Sequence, residues 1–141
     1  MLSSILNLLC AEIVVEVSPD RFVFRRENEF KSLKTKIYLS AEINAPTVLG
    51  VGEEYVPTQP SRCIKLFEEN KNGSFKDLVK AECLEAFFRH AFRLITKRSA
   101  MIRPKIVFKN TLSLNNILCG YQNSILASAA VNAGARECTF V

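Results

Sequence analysis

Over its first half the chain carries short apolar runs of strand length, and over its second half apolar residues recur at helical spacing. "EIVVEV" (Glu12–Val17) is β-branched and strand-forming. "SPD" at residues 18–20 is turn chemistry, because proline presets the turn dihedral, and "RFVFRR" (Arg21–Arg26) returns as the second strand of a tight hairpin. "TKIYLSAEI" and "PTVLGVG" predict two more extended segments, with Asn44, Ala45 and Pro46 as a breaker between them. Pro57, Pro60 and the tract "EENKNGS" mark loops around a short apolar piece, "CIKLF".

The clearest helix covers residues 74–98, where Leu84, Phe87, Phe88, Ala91, Leu94 and Ile95 follow the spacing of a buried stripe. Ser74 or Asp77 can cap its start, Glu85 and Arg89 pair one turn apart, and Arg93, Lys97 and Arg98 suit the negative end of the helix dipole. "RPKIVFKN" (103–110) is a strand with Pro104 tolerated near its start. A second helix is predicted from residue 113 or 115 to 133, with Ile117, Leu118, Tyr121, Ile125, Leu126 and Ala129 on its apolar face. No charged residue stands between Lys109 and Arg136, so both faces of this helix are expected to be covered. Gly120 weakens it by about 1 kcal/mol against alanine. Gly134 is the left-handed stop that feeds a last strand over 138–141.

Three strands, a short extra piece, then helix, strand, helix, strand make an α/β sandwich pattern with a mixed sheet. At 141 residues the chain is expected to form a single domain, and its 48% hydrophobic and 23% charged residues are those of a globular protein. No apolar run reaches the roughly 18 residues that span a bilayer. In the opening "MLSSILNLLCA" no Lys or Arg precedes Arg21 and Glu12 comes too soon for a secretory signal, so a short lead-in helix is expected over a membrane anchor. Cys10, Cys63, Cys83, Cys119 and Cys138 form no C-x-x-C and His90 is the sole histidine, which points to free thiols rather than a zinc site or disulfide framework. The net charge of +5 draws on residues 21–36, where cations interleave with Phe22, Phe24 and Phe30. That stretch reads first as an edge hairpin with its apolar face inward, and second as a nucleic-acid strip with cations on phosphates and rings on bases.

The element order resembles the ribonuclease H-like half-domain of the actin, sugar-kinase and heat-shock chaperone superfamily. Four stretches sharpen the resemblance: "VGEEYV", "KLFEENKNGSFKDLVKAECLEAFFRHAF", "MIRPKIVF" and "AVNAGAREC". They are similar, in family order over residues 12–141, to the first half of the bacterial actin homologue MreB, the rod shape-determining family. The resemblance implies an actin-like ATPase half-domain, here truncated at 1–141, with a residual smaller subdomain at 43–73. For the family it implies an ATP-dependent filament beneath the membrane, with ATP and Mg²⁺ held between two phosphate loops, one in each half.

The first such loop aligns with "VEVSPDRFVF" and departs from the family pattern. Glu16 stands at the aspartate that orders the Mg²⁺ water shell, Ser18 at the glycine and Pro19 at the threonine. Proline removes a backbone donor and Ser18 adds a side chain where phosphate must approach closely. No bound cofactor, no tight ATP binding and no ATPase activity are therefore expected. A ribonuclease H-type nuclease would gather several carboxylates around two metal ions. Only Glu16 and Glu85 are candidates, and the next strand ends in Lys109 and Asn110, so no nuclease, no catalytic residue and no metal site are expected. His90 reads as a half-buried residue on a helix flank. The expectation is a non-catalytic, cytoplasmic, MreB-like cytoskeletal fragment whose partner is an MreB-type filament or a second copy of itself, with peripheral membrane association left open. The alternative is a basic nucleic-acid-binding module built on residues 21–36.

Overall fold

A computed structural model describes residues 12–42, 44–67, 78–96 and 103–141. β1 (Glu12–Val17), β2 (Arg21–Arg26), β3 (Glu29–Lys34), β7 (Lys105–Lys109) and β8 (Glu137–Phe140) form a sheet in the order β3-β2-β1-β7-β8. β1, β2 and β3 are antiparallel neighbours, whereas β1, β7 and β8 run parallel, so the sheet is mixed. The helices are α1 (Leu78–Thr96), α2 (Asn115–Leu118) and α3 (Gln122–Asn132). The sequence along this sheet is strand, strand, strand, helix, strand, helix, strand, as expected of an actin-like half-domain. β4 (Lys36–Ser40), β5 (Val48–Val51) and β6 (Ser61–Lys65) form a second, antiparallel sheet in the order β5-β4-β6. β5 and β6 fall within the expected 43–73 unit, and β4 is the strand both pair with. Residues 1–11, 43, 68–77 and 97–102 lie outside the described residues. With them go the lead-in helix, the caps Ser74 and Asp77, and Lys97 and Arg98.

The third strand of the large sheet is β3, not the segment 35–43 that periodicity suggested. Arg26 pairs with Glu29 across a two-residue turn in which Glu27 takes a φ of 54°. Two-residue hairpins require that left-handed residue and ordinarily recruit Gly or Asn for it, so glutamate hid the turn. Thr35 then carries the chain from one sheet to the other. Its N–H donates to Asp20 O (3.1 Å), its hydroxyl to Pro19 O, and its carbonyl accepts from Leu66 N–H (2.9 Å).

Strand alternation sends Ile13, Val15, Val17, Phe22, Phe24, Ile106 and Phe108 to one face of the sheet, all fully buried. α1 meets that face with Leu84, Phe87, Phe88, Ala91, Phe92 and Ile95. Phe88 stands at the centre, its ring 5.6–6.4 Å from those of Phe22, Phe24, Phe87, Phe92 and Phe108. Leu94, expected in the stripe, is exposed, and Phe92 takes its place. On the opposite face of the sheet Glu12, Glu16, Arg25 and Lys109 are exposed.

The second helix is two. Cys119 and Gly120 take φ values of 53° and 88°, Cys119 N–H closes α2 on Asn115 O, and α3 restarts after Tyr121. Tyr121, expected on the apolar face, is exposed, and so are Asn123, Ser124, Ser128 and Val131. The helix is covered on one side only. Its end follows expectation: Gly134 has a φ of 115° and Ala135 N–H reaches back to Ala130 O (2.9 Å), a left-handed stop that turns the chain into β8.

Candidate functional site

β1 and β7 end side by side, with Glu16 opposite Lys109 in register. The family-like loop of residues 16–20 lies at this carboxyl end of the parallel strands, where open α/β sheets place ligands. Here the loop is closed by its own hydrogen bonds. Ser18 N–H donates to Arg21 O (3.1 Å) and the Ser18 hydroxyl donates to the same carbonyl (2.6 Å). Pro19 has no N–H, and its carbonyl accepts from Thr35. From the β7 side, Asn110 Nδ2 reaches Val17 O (3.1 Å), and the Ser113 hydroxyl lies within reach of both Val17 O (3.0 Å) and Asn110 O (2.8 Å). Asn110 reaches across because it is left-handed (φ 63°), a conformation that asparagine tolerates well. Two of the three residues that depart from the family pattern therefore contribute to a stitched turn, and Glu16 stands exposed beside it.

A cradle for a phosphate needs backbone N–H groups aimed outward. At positions 18 and 19 one donor is already bonded and the other is missing. These residues do not fit an ATP–Mg²⁺ loop. Nor does the structure bring Glu16 and Glu85 together. Glu16 lies on the exposed sheet face, while Glu85 rides on α1 against the other face, bonded to Arg89 (2.7 Å). Among the described residues no three of His, Cys, Asp and Glu are grouped to hold a metal. His90 is half-buried as expected, and burial, then Arg93 and Arg89, lower its pKa from the ordinary histidine value. Burial raises the Cys83 and Cys138 thiols, which disfavours their thiolates.

The basic stretch is a hairpin of two strands with divided duties. Phe22 and Phe24 are core residues, which leaves Phe30 as its exposed ring, with the Arg25 guanidinium 5.6 Å from the ring centroid. Arg21 pairs with Glu53 (2.7 Å) and Lys31 with Glu54. Lys36 is raised above the ordinary lysine value, chiefly by its hydrogen bond with Tyr38. The glutamates come from "VGEEYV", whose 3-10 turn (Gly52–Glu54) packs against β3. A Cβ at Gly52 would lie 3.1 Å from Lys34 O and 3.2 Å from Lys34 N, so glycine permits this approach. Tyr55 follows, its ring 5.1 Å from that of Tyr38 and its Cβ where any side chain on Gly50 would go. Sequence reading missed this junction; the adjacent acids after a glycine turn, opposite a basic hairpin, were the available signal.

No family profile matches the sequence, and no curated protein does. The structure is similar to MreB5 of Spiroplasma citri bound to ADP, with a TM-score of 0.63, 10% identity, and 94% of this chain covering 38% of that one. It is similar to a non-polymerising mutant of MamK bound to AMPPNP, with a TM-score of 0.68, 10% identity, and 94% of this chain covering 40% of that one. The AMPPNP-bound form of the same MreB5 matches at a TM-score of 0.56, again at 10% identity. The chain thus has an actin-like half-domain fold and spans about two fifths of the length of these proteins.

Proposed function

We propose that this chain is an actin-like cytoskeletal element of the rod shape-determining type, working in the cytoplasm by protein contact and not by nucleotide turnover. The observation that carries the reading is the closed turn at residues 18–20. An actin-like fold supplies the scaffold of a filament subunit, while the loop that would cradle phosphate is committed to Arg21, Thr35, Asn110 and Ser113. The partner is an MreB-type filament or a second copy.

Co-sedimentation with full-length MreB from the same cell, with ATP and at low and high salt, tests the contact. Pelleting at both salts supports it, because an apolar contact survives screening. Remaining in the supernatant overturns the filament contact. Binding to single-stranded nucleic acid that weakens steeply with salt would instead favour the basic stretch. Addition of MgATP to the chain alone is expected to leave its melting temperature unchanged, since a ligand raises stability only by binding the native state.

A further inference from the structure

The two faces of the large sheet are unequally covered. α1 and α3 bring their buried side chains to one face, into a core with Ile13, Val15, Phe22, Phe24 and Phe108. On the other face Val14 stands opposite Val107 in register, and Val23, opposite Glu16, lies diagonally next to Val14. Val14 and Val23 are half-buried, and Thr139, beyond Val107, is exposed. Val14, Val23 and Val107 stand outside the core that the two helices build. Glu12 and Glu16 on β1, Arg25 on β2 and Lys109 on β7 rim this apolar centre, all exposed. β1, β7 and β8 run parallel, and parallel strands are ordinarily covered on both faces.

The occupant that fits is the chain's own residues 1–11. They join the sheet at Glu12, where β1 starts, and β1 is the middle strand of the five. "MLSSILNLLCA" holds no charged residue. At helical spacing Leu2, Ile5, Leu6 and Leu9 share one side, with Ser3, Ser4 and Asn7 on the other. Laid over the sheet, such a segment sets its apolar side on the valines, turns its serines and asparagine to water, and buries no ion of its own. The lengths agree. A helix over residues 2–9 is about 12 Å long, and β1 advances about 13 Å from Glu12 to Glu16. Cys10 and Ala11 are left for the reversal, and helix-to-strand connections of about two residues are ordinary. So short a tether holds the segment at the sheet at an effective concentration on the order of millimolar, which an unattached partner lacks. A lipid surface suits it less, because helices that lie on membranes carry Lys or Arg on their polar side and this segment has neither.

We infer that residues 1–11 form a helix that folds back along β1 and covers Val14, Val23 and Val107. Iodoacetamide labelling of the full chain carrying Val14→Cys tests this, with mass spectrometry separating residue 14 from the native cysteines. Leu6→Asp sets a carboxylate against the valines and is expected to speed labelling at residue 14 about tenfold or more. Asn7→Asp puts the same charge on the other side of the segment and is expected to leave that rate unchanged. The buried Cys83 stays slow in every variant, which separates uncovering of the face from unfolding. Leu2→Asp replaces Leu6→Asp where far-UV circular dichroism shows that the latter does not fold. A rate at residue 14 that ignores the aspartate overturns the inference. So does protection that appears only as the protein is concentrated, which puts a second copy on the valines. Flotation of the chain with phosphatidylcholine–phosphatidylglycerol vesicles, abolished by Leu6→Asp, also overturns it, because the segment's apolar side then belongs to lipid.

Discussion

The stitching of the 18–20 turn makes a prediction whose size follows from geometry. Val17 O receives Asn110 Nδ2 at 3.1 Å and has the Ser113 hydroxyl at 3.0 Å. Each such bond contributes about 1 kcal/mol net, while leaving a buried acceptor with no donor costs about 1–3 kcal/mol. Asn110→Gly removes one donor and keeps the left-handed backbone relaxed, so its cost is about 1 kcal/mol or less. Asn110→Ala loses the same bond and forces alanine to a φ of 63°, adding about 1 kcal/mol. Ser113→Ala alone costs about 1 kcal/mol, because Asn110 still serves the carbonyl. The double variant Asn110→Gly/Ser113→Ala strips both donors and exceeds the sum of its parts by about 1 kcal/mol. Urea unfolding followed by far-UV circular dichroism reads these differences in a chain without tryptophan. Additive single and double variants, or an alanine no worse than glycine at position 110, would refute the claim that β7 holds the turn shut.

Other variants probe the same framework. Phe88→Ala empties the centre of the aromatic cluster and is expected to cost about 3–5 kcal/mol in urea unfolding. His90 has a folded pKa below its unfolded value, so the unfolded chain binds more protons as the solution acidifies. Its contribution is therefore complete above the ordinary histidine pKa and is lost as pH falls through the lowered one; His90→Gln is expected to flatten that part of the stability–pH curve. Glu53→Gln with Glu54→Gln breaks two exposed pairs, costs under about 1 kcal/mol each, and loses its effect in high salt. Gly50→Ala places a Cβ 2.4 Å from that of Tyr55 and is expected to lower the melting temperature by displacing the Tyr55 ring from Tyr38.

Element types were legible where local chemistry and tertiary context agree. The alternation of β1 and β2, the stripe of α1 and the stop at Gly134 each rest on a period or a single residue, and each stands in the structure. The reading slipped where backbone conformation was carried by an unusual residue. Glu27 in a left-handed turn hid β3, and Cys119 beside Gly120 cut one predicted helix into two. For the site, the identities of Ser18 and Pro19 already argued against a phosphate cradle. The donors that close the turn lie more than ninety residues away in Asn110 and Ser113, and nothing in a linear pattern joins them to Val17. The absence of charge between Lys109 and Arg136 is visible in the sequence, and burial of both helix faces is what it predicts. Which side of α3 meets water depends on where α1 packs, and that is a property of the assembled core.

The 3-10 turn at Gly52–Glu54 lies along β3, the outermost strand on its side of the large sheet, whereas β8 on the other side has no strand beyond it among the described residues. Growth of a fibril by backbone pairing needs two receptive rims on every subunit, one to dock and one to be docked upon. Where the turn lies against Leu33 and Lys34, that end of the β3 rim is occupied by the chain's own polypeptide, and β8 is the rim of the large sheet left to receive a strand.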